Sequence, residues 1–203
     1  MKNIVKLLIG CVAAAGIVLP ASAQIALSLS PSSQNVGLNG LASYNLNISG
    51  LKASADYNGP ALGSFTVQLD YNSAVASAQS VAFGSKLNLS GGDLQFADLS
   101  AAGQIYLTET SFDSAAALEQ AQTGSFTLGT ITLQGNALGT TALTFDLPQT
   151  SLSDENGNTL DLISANSGSL TVIPVPEPSL GGLAALAVAV WGLRRKLTPT
   201  SRS

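Results

Sequence analysis

Between residues 24 and 173, apolar side chains recur at every second position in short runs, and clusters of Gly, Asn, Asp and Ser separate the runs. A period of two sends successive side chains to opposite faces of an extended chain, so each run can bury one face and leave the other wet. Helical periodicity is almost absent from the same stretch. Many short half-buried strands with frequent turns are satisfied by two sheets packed face to face. The expected fold class is therefore all-β, a β-sandwich or jelly roll of about nine or ten short strands.

The runs can be placed individually. Ile25–Ser30 alternates and stops at Pro31. Leu41–Ile48 puts Ala42, Tyr44, Leu46 and Ile48 on one face, and Leu62–Tyr71 does the same with Phe65, Val67 and Leu69. Val75–Phe83 is anchored by Val75, Val81 and Phe83, and two short strands centre on Gln95 and Tyr106. Ser114–Gln120 is alanine-rich and suits one or two helical turns. In Phe126, Leu128, Ile131 and Leu133 the alternation slips at Gly129, as at a β-bulge. Leu143, Phe145 and Leu147 form the next strand. Asn156-Gly157 signals a tight turn, setting up a hairpin between 151–153 and 160–163. Ser169–Ile173 closes the domain.

Composition limits the chemistry. The chain contains no histidine, and its one cysteine is Cys11. Ser-His-Asp and Cys-His catalysis and the usual zinc ligand sets are thereby removed. Residues 24–173 carry Lys52 and Lys86 against eleven acids, a net charge of 2 − 11 = −9. Such a surface repels phosphates, so no nucleic-acid partner is expected.

Three weaker signals have simple readings. Ser49-Gly50-Leu51-Lys52 matches S-x-x-K but lies at a strand end rather than on a helix that would bury the lysine. The carboxylate pairs Asp93/Asp98 and Glu109/Asp113 read as solvated loop acids, because residues 24–173 lack tryptophan to stack a sugar. Asp154, Asn156, Asn158 and Asp161 have the spacing of oxygen ligands in a calcium loop. Thr159 stands where such a loop needs glycine, however, and no glutamate closes it. The expectation is no catalytic residue, no metal and no cofactor.

Both ends read as address segments. Lys2 and Lys6, an apolar run from Leu7 to Leu19, and then Ala21-Ser22-Ala23 have the order of a secretory signal peptide, 1–23, cleaved before Gln24. Leu8-Ile9-Gly10-Cys11 is a competing lipobox reading. At the other end, residues 174–179 form a proline-rich stem. Residues 180–193 are apolar, and Arg194, Arg195 and Lys196 begin a basic tail, 194–203. Fourteen residues (193 − 180 + 1) give roughly 21 Å of helix, short for a hydrocarbon core of about 30 Å. That suits a temporary single transmembrane helix in the inner membrane, its basic cluster on the cytoplasmic side.

Val175-Pro176-Glu177-Pro178-Ser179, the apolar run and the terminal basic cluster together resemble the PEP-CTERM sorting signal of Gram-negative bacteria that make exopolysaccharide. The resemblance implies recognition by exosortase, cleavage near the motif, and delivery to the cell surface or extracellular matrix. A second resemblance covers about residues 26–173. LSLSPSSQNVGLNGLASYNLNISGL, ALGSFTVQLDYNSAVASAQSVAFGSKL, GSFTLGTITLQGNALGTTALTF and SLSDENGNTLDLISANSGSLTV are similar, in order and spacing, to the strands of cohesin domains. It implies a nine-stranded jelly roll that receives a partner on one sheet face, as cohesins receive calcium-loaded dockerins. The functional expectation is a non-enzymatic surface or matrix protein for adhesion or assembly, with an exopolysaccharide-binding module as the alternative.

Overall fold

The computed structural model describes residues 24–51 and 60–175. Along them run β1 (Ile25–Ser30), β2 (Ser33–Gly37), β3 (Leu41–Ser49), β4 (Leu62–Asp70), β5 (Ala76–Phe83), β6 (Leu94–Asp98) and β7 (Gln104–Thr110). There follow α1 (Ala115–Ala121), β8 (Ser125–Gly135), β9 (Gly139–Phe145), β10 (Ser151–Asp154), β11 (Leu162–Asn166) and β12 (Gly168–Ile173). One sheet has the order β11-β1-β3-β8-β5. The other runs β2-β12-β9-β4-β7-β6, with β10 also pairing β4.

The two sheets enclose one core. From the first, Leu27, Tyr44, Leu46, Ile48, Leu128 and Ile131 point inward. Phe65, Val67, Leu69, Ile105, Leu107 and Leu170 meet them from the second. These are the alternating positions of their strands, so period-two patterning translates directly into sandwich burial. The Tyr44 hydroxyl, buried in that core, donates to Ser169 O across the sandwich at 2.6 Å. Burial pushes its pKa up to about 12.

Both outer pairings that join the chain ends are parallel. β1 pairs β11, and β2 pairs β12 from Ser33↔Ser169 to Ile173↔Gly37. The first two strands are thus each held by one of the last two.

Several expectations need correction. Twelve strands replace about nine or ten. β2 went unseen because its one large apolar residue, Val36, is only part-buried; backbone pairing to β12 defines it. The bulge near Gly129 is present: β3 pairs Leu46 with Gly129 and Asn47 with Thr127, leaving Leu128 as the extra residue. In β5 the fully buried residue is Ala76, while Val75, Val81 and Phe83 only flank the core. Leu147 leaves the strand for a 3-10 turn, Leu147–Gln149, and is 54% exposed, because Pro148 cannot donate to a ladder. The turn at Asn156-Gly157 forms, with Gly157 at φ 84°, but the hairpin does not continue. After one bridge, Ser153↔Thr159, the chain crosses to the opposite sheet as β11.

The expected helical turns near residue 114 are α1, capped by the Ser114 hydroxyl, which accepts from Ala117 N. No helix among the described residues is long and apolar enough to cross a membrane. The expected span, 180–193, lies outside the described residues, as does the signal segment 1–23.

Candidate functional site

Strand β6 bounds the second sheet, and its residues from Leu94 to Ala97 are exposed. Its free side presents backbone donors and acceptors that no other strand among the described residues uses. The register places Leu94 opposite Thr110, Phe96 opposite Thr108, and Asp98 opposite Tyr106 on the outward face. Leu94 is 58% and Phe96 52% exposed. Phe96 and Tyr106 meet edge to face, with centroids 6.5 Å apart and planes at 64°. Next to them on β4 are Thr66 and Gln68, the latter donating to Asp70 and Asp146, so the face continues inward as a polar floor.

The loop between β5 and β6 extends this surface. Asp113 accepts from Leu89 N at 2.9 Å and from the Ser111 hydroxyl at 3.3 Å. Those bonds bring exposed Leu89 to the same edge as Phe112, which is 70% exposed. Hydrogen bonds from Ser90, first, and Leu89 hold the Asp113 carboxyl below its ordinary value. Four large apolar side chains therefore stand in water along one corner. Scattered singly they would be ordinary; here they stand in a run beside the sheet edge.

Behind this face lies a polar cluster. Glu109 on β7 alternates with Ile105 and Leu107, so strand phase forces it inward, and it is fully buried. Its Oε1 accepts from Gln95 Nε2 at 2.9 Å. Asp93 is its other neighbour. Burial, first, and then Asp93 push the Glu109 carboxyl up to about 8, against the lowering effect of Gln95. Asn88 Oδ1, Asp93 Oδ2 and Glu109 Oε2 are buried and have no hydrogen-bond partner among the described residues.

The carboxylates are therefore regrouped relative to the sequence pairs. Asp93 joins Glu109 rather than Asp98, which sits at the far end of β6 and accepts from Ser100 N at 2.8 Å. Asp113 is spent on Leu89 N of the β5–β6 loop and on the Ser111 hydroxyl. Only the β6–β7 register brings Asp93 and Glu109 together, and sequence spacing does not carry that information. With Glu109 fully buried, the pair does not face a substrate in solution.

The calcium-like spacing at Asp154 is accounted for by the turn. Asp154 Oδ1 accepts from Asn156 N and Asn158 N, and Oδ2 accepts from Asn158 Nδ2. Asp161 is exposed and apart from those bonds. No group of three or more carboxylates stands ready for a metal among the described residues.

An open cleft of about 380 Å³ is lined by Asp70, Tyr71, Asn72, Thr140, Thr141 and Thr144. Its one aromatic side chain, Tyr71, packs partly buried against the core, and its OH accepts from Ala78 N at 3.1 Å. Asn72 N donates to Thr141 Oγ1 at 2.7 Å.

Of the sorting residues, only Val175 is described, exposed beside Gly37. Pro176, Glu177, Pro178, Ser179, the basic cluster Arg194, Arg195 and Lys196, and the cleavage-site residues Ala21 and Ala23 lie outside the described residues. Gln24 is described and exposed. Lys52 of the S-x-x-K match also lies outside them, while Ser49 Oγ donates to Ala26 O.

No protein-family model matches the sequence, and no curated protein matches it. Solved structures do. A cohesin of Clostridium acetobutylicum, in a complex with a dockerin, superposes with TM-score 0.59 at 19% identity, over 74% of this chain and 100% of that one. The seventh ScaB type I cohesin of Pseudobacteroides cellulosolvens gives 0.57 at 13%, over 77% and 96%. A type I cohesin–dockerin complex from Clostridium thermocellum gives 0.57 at 12%, over 74% and 99%. At these identities the likeness is one of fold: the described residues form an all-β sandwich resembling cohesin modules.

Proposed function

We propose that this cohesin-like sandwich is a non-enzymatic assembly module that binds a protein partner through the β6–β7–β4 face. The observation that carries the reading is the row of exposed Leu94, Phe96, Leu89 and Phe112 beside an uncovered sheet edge. Apolar and aromatic anchors next to a hydrogen-bonding floor are the composition of a protein interface core. The neighbouring structures that hold dockerins support a protein partner.

A polysaccharide ligand fits this face less well. Sugars stack on flat aromatic platforms, whereas Phe96 and Tyr106 are inclined at 64° to each other. The cleft near Tyr71 offers no free ring. In the same reading the domain is exported, held briefly in the inner membrane by residues 180–193, processed by exosortase near the Pro176-Glu177-Pro178 motif, and released to the cell surface or matrix. What supports this is the order of the sequence segments at the two ends.

The test is affinity isolation from the native cell surface with the wild-type domain and a Leu94→Ser/Phe96→Ser double variant. A protein retained by the first and lost from the second is the expected result. Equal retention by both, or retention of polysaccharide in place of protein, would overturn the assignment.

A further inference from the structure

We propose that the end of the sandwich at which β12 leaves the domain is a lipid-facing base, resting on the headgroup surface of the membrane that holds the apolar run 180–193. Four connections meet at this end: 38–40, 71–75, 99–103 and 136–138. Backbone hydrogen bonds tie them together. Asn39 N donates to Gly135 O, Gly135 N to Gly40 O, Asn136 N to Val75 O, and Tyr71 N to Gly103 O. Strand β12 emerges beside them, with Ile173 opposite Gly37 and Val175 against the same glycine. Leu38, Leu41, Leu138, Ile173 and Val175 are all exposed here. Large apolar side chains gathered on one rim are the mark of a surface that meets a protein or a membrane.

Charge separates the two ends of the domain. The four connections contain no Asp, Glu, Lys or Arg, and the nearest acids, Asp70 and Asp98, close β4 and β6 above them. The connections at the opposite end carry Lys86, Asp93, Asp113, Glu119, Glu155 and Asp161. A base without positive charge gains nothing from anionic lipid, so it holds by apolar contact alone. The acids at the far end stay clear of like-charged headgroups.

The reach of the chain selects lipid as the occupant. Five peptide steps join Val175 to Leu180, where the apolar run begins (180 − 175), at most about 18 Å of extended chain. With the run in the bilayer, the base is held within that distance of the headgroups. The docking corner, where β6 starts at Leu94, is raised away at the opposite end. The run alone is short for a bilayer, and a marginal anchor holds stably when a second contact joins it. This placement rests on the membrane reading of 180–193 given above, and the experiment separates the two.

Trp191 is the one tryptophan of the chain, so single-tryptophan proteins report one place at a time. The full chain is reconstituted into phosphatidylcholine vesicles with acyl chains brominated close to the headgroup, and its fluorescence is compared with that in unbrominated vesicles. Wild type reports the apolar run. Trp191→Phe/Leu138→Trp and Trp191→Phe/Leu38→Trp report the base, at positions that already stand in water. Trp191→Phe/Gln120→Trp, on the exposed side of α1, reports the opposite end. The expected result is blue-shifted, bromine-quenched emission at 138 and 38, with water-like, unquenched emission at 120. Unquenched, water-like emission at both 138 and 38 would overturn the base; quenching of wild type in the same vesicles would show that the membrane reading survives that failure. Unquenched wild type with quenching at 138 and 38 would remove the membrane run and leave the lipid-facing base standing. A blue shift without bromine quenching would overturn the base in favour of a second copy or another protein over the rim. Equal quenching at 120 would overturn it as well, since neither end would then be preferred.

Discussion

Gln122 and Leu62 exchange two hydrogen bonds of 2.7 Å: Leu62 N donates to Gln122 Oε1, and Gln122 Nε2 donates to Leu62 O. The side-chain amide takes the place of a neighbouring strand at the start of β4, and both residues are buried. It also ties the end of α1 to the sheet. Gln122→Leu keeps the bulk, strands both backbone groups of Leu62 and removes a third bond, to Lys86 O at 3.2 Å. A loss of about 1–3 kcal/mol for each group left unpaired is expected, measured by urea unfolding; an unchanged midpoint would show that water replaces the amide.

Phe65 is buried at the centre of β4 and packs against Phe83 with centroids 6.4 Å apart. Phe65→Ala should therefore cost about 3–5 kcal/mol through lost contacts and a cavity. Leu94→Ser/Phe96→Ser should leave Tm nearly unchanged, because those side chains already stand in water. Thermal melts of the two variants side by side check the assignment of inward and outward faces.

Asp154 gives the pH dependence a sign. Burial pushes its carboxyl up, but bonds from the Asn158 side chain and from the backbone of Asn158, Asn156 and Gly157 outweigh that and hold it below its ordinary value. A carboxyl depressed in the folded state stabilises it while ionised. The contribution is full above the unfolded value and is lost as pH falls through the folded one. Below about pH 4, wild-type Tm should fall more steeply than that of Asp154→Asn. Parallel curves would mean the turn does not depend on the charge.

Export and sorting have their own readout. Replacing Pro176, Glu177 and Pro178 by alanine should leave the protein in the inner-membrane fraction, with its C-terminus intact by mass spectrometry. Normal release of a trimmed protein would remove the sorting reading.

The sequence disclosed the sandwich wherever burial follows strand phase. Tyr44, Leu46 and Ile48 on β3, and Val67 and Leu69 on β4, alternate and are buried. It failed where backbone pairing or long-range register decides. β2 has almost no apolar pattern and is defined by β12, over a hundred residues later. The crossing at Leu160–Leu162 breaks a hairpin whose turn residues are all present, because the strand after it finds a partner in β1. Glu109 was visible only as a charge; that its phase matches Ile105 and Leu107 was the available clue. The proposed docking face was hidden for a related reason. Leu94 and Phe96 look like core residues until β6 is known to lie at the edge of the sheet.

The parallel pairing of opening with closing strands sets the order of events during synthesis. Ser33 and Ser169, matched in the ladder, are 136 positions apart (169 − 33). Loop closure over such a distance is paid in chain entropy before any contact rewards it. During synthesis β1 can pair β3 early, but β2 must wait as unpartnered ribbon until β12 emerges. The second sheet thus acquires its final shape in one late step, and a truncated translation product lacking the last strand has β2 detached and β9 left as a raw border.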